Sequence, residues 1–312
     1  NSALFDITPV GLTAGTETSI DATAFGGGVY GSDGYGEPRL ERSTGNPATT
    51  WSLDTFGQNL VACSTSDGKI YQWTLNTSTK AAQVTNAPVG NTGIMVTDER
   101  FLFALGAASN PRKVQWCDRE NNTLWTPAAT NEAGSIELQT VGRIQCGVKV
   151  QNQALILTTT DAHTATYSGP PYVYGIERVG TSCGIVSAQG VSVVDAGAFW
   201  MGKESFFMYS GGTVKELECD VADYLYSDIN VSQMAKVVAV SNAKFSEIRW
   251  FYPSDDNTEN NRYVSFNYQE NTWTIGQLAR TAGVDAGVYR YPIYFDPTNK
   301  KIYEHEVGFN YD

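Results

Sequence analysis

The chain has 312 residues, 41% of them hydrophobic and 12% aromatic. That is enough apolar material for one large core, and all-β folds routinely keep such a length in a single domain. Thirty-three acids against 21 basic residues leave a net charge of −12 with the basic residues dispersed singly, which argues against a clamp for nucleic acid or anionic membrane built on clustered Lys and Arg. No window approaches the roughly 18 consecutive apolar residues of a membrane helix; even the run around Val191 to Met201 is broken by Ser192, Asp195 and Gly197, so no membrane insertion is expected.

Asn1 stands where an initiator Met is usual, and Asp312 follows an unfinished strand-like run, so both ends read as edges of a longer chain. A strand is expected around Leu4 to Val10. Residues 11 to 50 form a Gly- and Tyr-rich stretch that includes Phe25-Gly-Gly-Gly-Val-Tyr-Gly-Ser-Asp-Gly-Tyr-Gly36, read as a long surface loop or arm. Gly26, Gly28 and Gly31 satisfy G-x-G-x-x-G, but no buried strand precedes them and no helix follows, so a dinucleotide site is not expected.

From residue 51 onward one theme recurs six times: an apolar strand, a turn, and a second strand ending in an aromatic ring. It occupies 60 to 73, 101 to 116, 154 to 167, 198 to 209, 247 to 268 and 292 to 305, closing on Trp73, Trp116, Tyr167, Tyr209, Tyr268 and His305. The mean spacing of about 46 residues leaves room for four short strands and their turns, the blade of a β-propeller. The predicted fold is therefore all-β, a six-bladed β-propeller over 51–312, with a Gly-rich N-terminal arm over 1–50 whose first strand completes the short last unit. The alternative is a two-sheet sandwich with coincidental spacing. One short helix is expected at Asp220 to Tyr226, with a loop as the other reading, and the polar run Ser254 to Asn261 reads as a lengthened hairpin inside the fifth unit.

Groups able to carry chemistry are sparse. Five cysteines (Cys63, Cys117, Cys146, Cys183, Cys219) lack any C-x-x-C pair and read as small buried hydrophobes of a chain folded in a reducing cytoplasm. His163, in a turn-like Thr-Asp-Ala-His-Thr stretch, and His305 have no second ligand at metal spacing. Asp67-Gly68 reads as a two-residue hairpin turn. Asp118 with Glu120, Asp220 with Asp223, and Asp255, Asp256 and Glu259 read as solvated acids. Tyr167, Tyr172, Tyr174, Trp250 and Trp273 could line a sugar-binding face, though in so aromatic an all-β chain blade packing is the commoner use. No catalytic residue, cofactor site or metal site is expected, and the protein is read as a non-enzyme.

Several stretches resemble the packaged-DNA stabilisation, or tail nozzle (tail hub), proteins of short-tailed bacteriophages. They are Trp51-Ser-Leu-Asp-Thr-Phe-Gly-Gln-Asn-Leu60, Trp116 with Asn-Thr-Leu-Trp125-Thr-Pro and Ala133-Gly, Ser168-Gly-Pro-Pro-Tyr172-Val-Tyr, Phe199-Trp-Met-Gly202, and Arg262-Tyr-Val with Tyr268-Gln-Glu-Asn-Thr-Trp273. The resemblance implies a structural virion protein of the tail, synthesised and assembled in the host cytoplasm. It implies a homo-oligomeric ring, expected to be a hexamer, that contacts the tail adaptor and fibres or spikes, retains packaged DNA and forms the conduit for its ejection. The other functional reading is a glycan-binding or glycan-cleaving propeller module of a phage tail. With −12 on each copy, a ring is expected to present a neutral to acidic wall to passing duplex DNA, without specific binding.

Overall fold

The structure, a computed structural model, describes residues 15–21, 44–46 and 48–308. Two short strands, β1 (Ile20–Asp21) and β2 (Thr44–Asn46), pair with each other ahead of the blades. Blade 1 then holds β3 (Trp51–Phe56), β4 (Asn59–Ser64), β5 (Ile70–Trp73) and β6 (Ala82–Gln83), and blade 2 holds β7 (Gly93–Val96), β8 (Leu102–Leu105), β9 (Lys113–Trp116) and β10 (Gly134–Glu137). Blade 3 is β11 (Ile144–Val150), β12 (Gln153–Thr158), β13 (Asp161–Gly169) and β14 (Val173–Thr181). Blade 4 is β15 (Val191–Val194), β16 (Gly197–Met201), β17 (Phe206–Ser210) and β18 (Thr213–Leu217). After the short helix α1 (Ala222–Asp228) come blade 5, with β19 (Val238–Asn242), β20 (Glu247–Tyr252), β21 (Arg262–Asn267) and β22 (Thr272–Gln277), and blade 6, with β23 (Ala282–Val284), β24 (Ile293–Asp296) and β25 (Lys301–Glu304).

Every blade is an antiparallel meander in sequence order, and the six stand in a ring as a six-bladed β-propeller. The six sequence repeats are the second and third strands of the successive blades. These strands are the most apolar because a blade is buried on both faces, so successive residues of one strand enter different interfaces. In β8, Leu102 and Ala104 pack toward blade 1, whereas Phe103 and Leu105 pack toward blade 3. Ala198 and Trp200 of β16 face blade 3 while Phe199 and Met201 face blade 5. Five apolar clusters fill the five interfaces from blade 1 to blade 6, the smallest being Val238, Val240 and Phe251 against Tyr294.

Five blades have four strands. Blade 6 has three among the described residues, and the strand expected at Leu4 to Val10 lies outside them, as do Gly26, Gly28 and Gly31. Three local readings are corrected. Asp67-Gly68 is part of a longer loop, since Cys63 pairs with Ile70. Gly68 is needed there at φ 61°, where a Cβ would sit 2.5 Å from the Asn91 nitrogen of the next blade. The helix begins two residues later than expected, at Ala222, and no side chain caps its first turn. His163 lies within β13 rather than in a turn, because Asp161 closes the preceding hairpin and opens the strand.

Inter-blade packing should dominate stability. Phe103 is fully buried, 4.8 Å edge-on from Tyr174 of the next blade and 5.8 Å from Trp116. Phe103→Ala is expected to cost about 3–5 kcal/mol in urea unfolding followed by tryptophan fluorescence, whereas Val141→Ala, at a side chain 95% exposed, stays within about 0.5 kcal/mol.

Candidate functional site

Two concavities dominate the described surface. The first, about 500 Å³, lies on the propeller axis and is lined by the innermost strands of blades 1 to 4, with Met95, Gln145, Lys149 and Gln189 in its wall. Innermost strands have one unpaired edge, and blade 1 satisfies part of that of blade 2: Ser52 Oγ accepts the Ile94 N–H at 3.0 Å, and Asp54 Oδ2 accepts the Val96 N–H at 2.8 Å. At the end where these strands begin, Gln189 Nε2 donates to the Trp51 carbonyl at 3.1 Å, joining blade 4 to blade 1 across the axis. The buried Gln233 exchanges hydrogen bonds with the Ser19 backbone, and Thr16 with Thr49, so the segment before the blades is tied to the same end. One Gln side chain spans this axis, which leaves no passage for a duplex through a single propeller.

The second concavity, about 600 Å³, is a cleft between the hairpins of blades 3 and 4. Its inner wall is a polar knot in which Asp161 Oδ1 accepts the hydroxyls of Thr140, at 2.8 Å, and Thr158. Gly184 forms part of the lining, and any Cβ there would strike the Thr159 carbonyl. His163, 3% exposed, holds its Nδ1 3.9 Å from Asp161 Oδ1, beyond hydrogen-bond reach and without another partner. Burial pushes the imidazole below its ordinary range; Asp161 opposes this and Arg178 adds to it.

The other titratable groups singled out in the sequence are engaged structurally. Asp67 accepts the Tyr71 hydroxyl at 2.6 Å and the Lys69 N–H at 3.0 Å, and that hydrogen bond pushes the Tyr71 phenol up to about 12. Cys63, Cys117, Cys146 and Cys183 are buried and Cys219 partly so, all free thiols; burial raises the first three to about 12. Tyr174 and Trp250 are core, Tyr167 and Trp273 pack on the clusters, and Tyr172 is 83% exposed. The acids of the 254–261 loop are less uniform than a solvated tip. Asp255 and Asp256 are exposed, but Glu259 pairs with the nearly buried Lys236, and fully buried Asn260 donates to the Lys236 carbonyl at 2.8 Å. Sequence reasoning missed Gln189, Gln233 and Asn260, since an isolated amide carries no pattern that marks it as a tie between distant segments. Among the described residues no group of three His, Cys, Asp or Glu could hold a metal ion, and no helix is long and apolar enough to cross a membrane.

No family model matches the sequence, and no curated protein matches it. Among solved structures it is similar to a streptogramin B lyase structure, with a TM-score of 0.50 and 8% identity over 83% of each chain. The AfRom2 CNH domain gives a TM-score of 0.44 at 13% identity, covering 83% of this chain and 86% of that one. Dihydro-heme d1 dehydrogenase NirN in complex with DHE gives 0.46 at 10% identity, covering 83% and 56%. The likeness to the lyase structure carries the propeller fold alone.

The second histidine gives this architecture a pH dependence. His305 Nε2 accepts the Arg280 Nε–H at 3.0 Å, and its ring lies 4.3 Å from Tyr294. Burial, followed by the charges of Arg280 and Arg249, lowers its pKa to about 4. The unfolded imidazole titrates near 6.5, so the unfolded state takes up the proton first. The stability His305 contributes is complete above about pH 6.5 and is lost as pH falls toward 4. Amide exchange over β24 and β25 is expected to quicken across that window in the native protein and to change less in His305→Gln; identical profiles would refute the linkage.

Proposed function

We propose that this chain is a non-catalytic structural subunit of a short-tailed phage tail, acting as one copy in a ring, expected to be a hexamer, that retains packaged DNA and forms its exit conduit. The observation that carries the reading is where the family-like stretches fall. Trp51 to Leu60 is the inner hairpin of blade 1, Trp116 and Trp125 are buried in the first blades, Phe199 to Met201 spans two interfaces in β16, and Arg262 to Trp273 forms the outer hairpin of blade 5. Trp116, Trp125, Phe199 and Met201 of these stretches serve blade packing, whereas Leu53 and Tyr172 are exposed. Because Gln189 spans the propeller axis, the conduit in this reading runs between copies.

A charge of −12 per copy fits such a conduit, since each neutralised phosphate would release counterions and add a salt-dependent hold on the strand. The wall facing DNA is therefore proposed to be neutral to acidic. The docking of adaptor and fibre or spike proteins belongs to the same proposal.

Mass photometry of the purified chain and imaging of intact tails test it together. Uniform six-copy rings below the portal are the expected result, with duplex binding in a low-salt gel shift no stronger than that of an unrelated acidic protein. His163→Ala and Asp67→Ala should leave infectivity nearly unchanged wherever folding is preserved. Absence of the chain from purified virions, or submicromolar duplex binding, would overturn the reading.

A further inference from the structure

The cleft between blades 3 and 4 has a composition that the assembly role does not use. At about 600 Å³ it falls within the range of small-ligand sites, roughly 300–1,000 Å³. Its lining combines an aromatic ring, hydroxyls and charges of both signs. Phe207, half-buried, lines the cleft and stacks on the fully buried Trp200, with ring centroids 5.9 Å apart and planes 29° from parallel, so its position is fixed by the core. Glu216 is exposed and directly opposite Phe207 in the β17–β18 ladder. The Ser205 hydroxyl donates to its Oε1 at 2.5 Å, which orients the carboxylate and leaves Oε2 without a partner among the described residues.

The remaining polar groups are unspent. The side chains of Thr181, Ser182, Lys203 and Glu204 line the cleft and make no hydrogen bond or ion pair among the described residues. Arg178, also in the lining, has no ion-pair partner there. Against these cations stand Glu204, Glu216 and the threonine-bound Asp161. Near balance of charge disfavours a polyanion such as nucleic acid, which needs an excess of Lys and Arg. It equally disfavours an apolar ligand, which would leave these groups desolvated and unpaired.

We infer that this cleft binds a saccharide. A polyhydroxylated ring offers donors to Glu216 and Glu204 and acceptors to Lys203, Thr181 and Ser182, while its C–H face lies against Phe207; hydrogen bonds to ionised partners are the stronger ones. Gly184 lets the backbone of this wall approach that of Thr159 and Thr160 closely, since a side chain there would collide with the Thr159 carbonyl. The inference goes beyond the ring reading; only the choice of bacterial surface sugars as probes rests on it.

Screening the full-length protein on an array of bacterial O-antigen and capsular oligosaccharides, then titrating the best binder by calorimetry, tests this. Glu216→Gln and Lys203→Ala, both at exposed side chains, are each expected to weaken binding about tenfold or more. Lys149→Ala, in the axial cavity, should leave it unchanged. No binding to any oligosaccharide, affinity unaltered in both cleft variants, or an equal loss in Lys149→Ala would overturn the assignment. Ring formation read by mass photometry on the same samples separates this outcome from failure of the structural proposal.

Discussion

A blade of this propeller cannot bury itself. Its sheet has two faces, both carrying large apolar side chains, and only flanking blades remove them from water. Trp200 and Phe199, adjacent in sequence, enter opposite interfaces and are both essentially inaccessible to solvent. At about 25 cal/mol per Å² of apolar surface, one such pair outweighs any single surface ion pair in the molecule. The two most exposed of those pairs, Arg100 with Glu120 and Arg112 with Glu137, contribute little.

The interfaces weaken toward the end of the chain, and polar contacts take a larger share there. The last apolar cluster contains only four buried residues, and around it gather Arg249 with Glu247 and Glu306, and Arg280 with Asp296 and His305. Partly buried pairs are worth more than exposed ones but carry a desolvation cost, so the join between blades 5 and 6 is conditional on protonation in a way that the Phe103 and Trp250 interfaces are not. Tyr294 OH and Arg249 Nε, both buried there without a partner, mark the same imperfect fit.

On the axis the constraint changes from packing to hydrogen bonding. Inner strands expose backbone edges, and side chains from neighbouring blades supply the missing partners, as Ser52 and Asp54 do for Ile94 and Val96. Gln189 does the same across the ring for Trp51. These ties narrow the axial end of the propeller, while the cleft between blades 3 and 4 opens outward.

The all-β class, the number of blades and the middle strands of each were legible in the sequence because burial on both faces forces continuous apolar runs, such as Phe101 to Leu105, at a regular interval. The lengthened hairpin at 254–261 and the burial of Cys63, Cys117, Cys146 and Cys183 were legible for similarly local reasons. The roles of Asp161, His163, Glu216, Gln189 and Gln233 were not. Each depends on which residue of another blade stands opposite, and that is fixed by strand register and by the angle between blades. A polar residue looks the same in sequence whether it caps a distant backbone amide, accepts two threonine hydroxyls or faces an open cleft. Only the tertiary structure assigns its partner, since the partner lies tens of residues away and is reached through space.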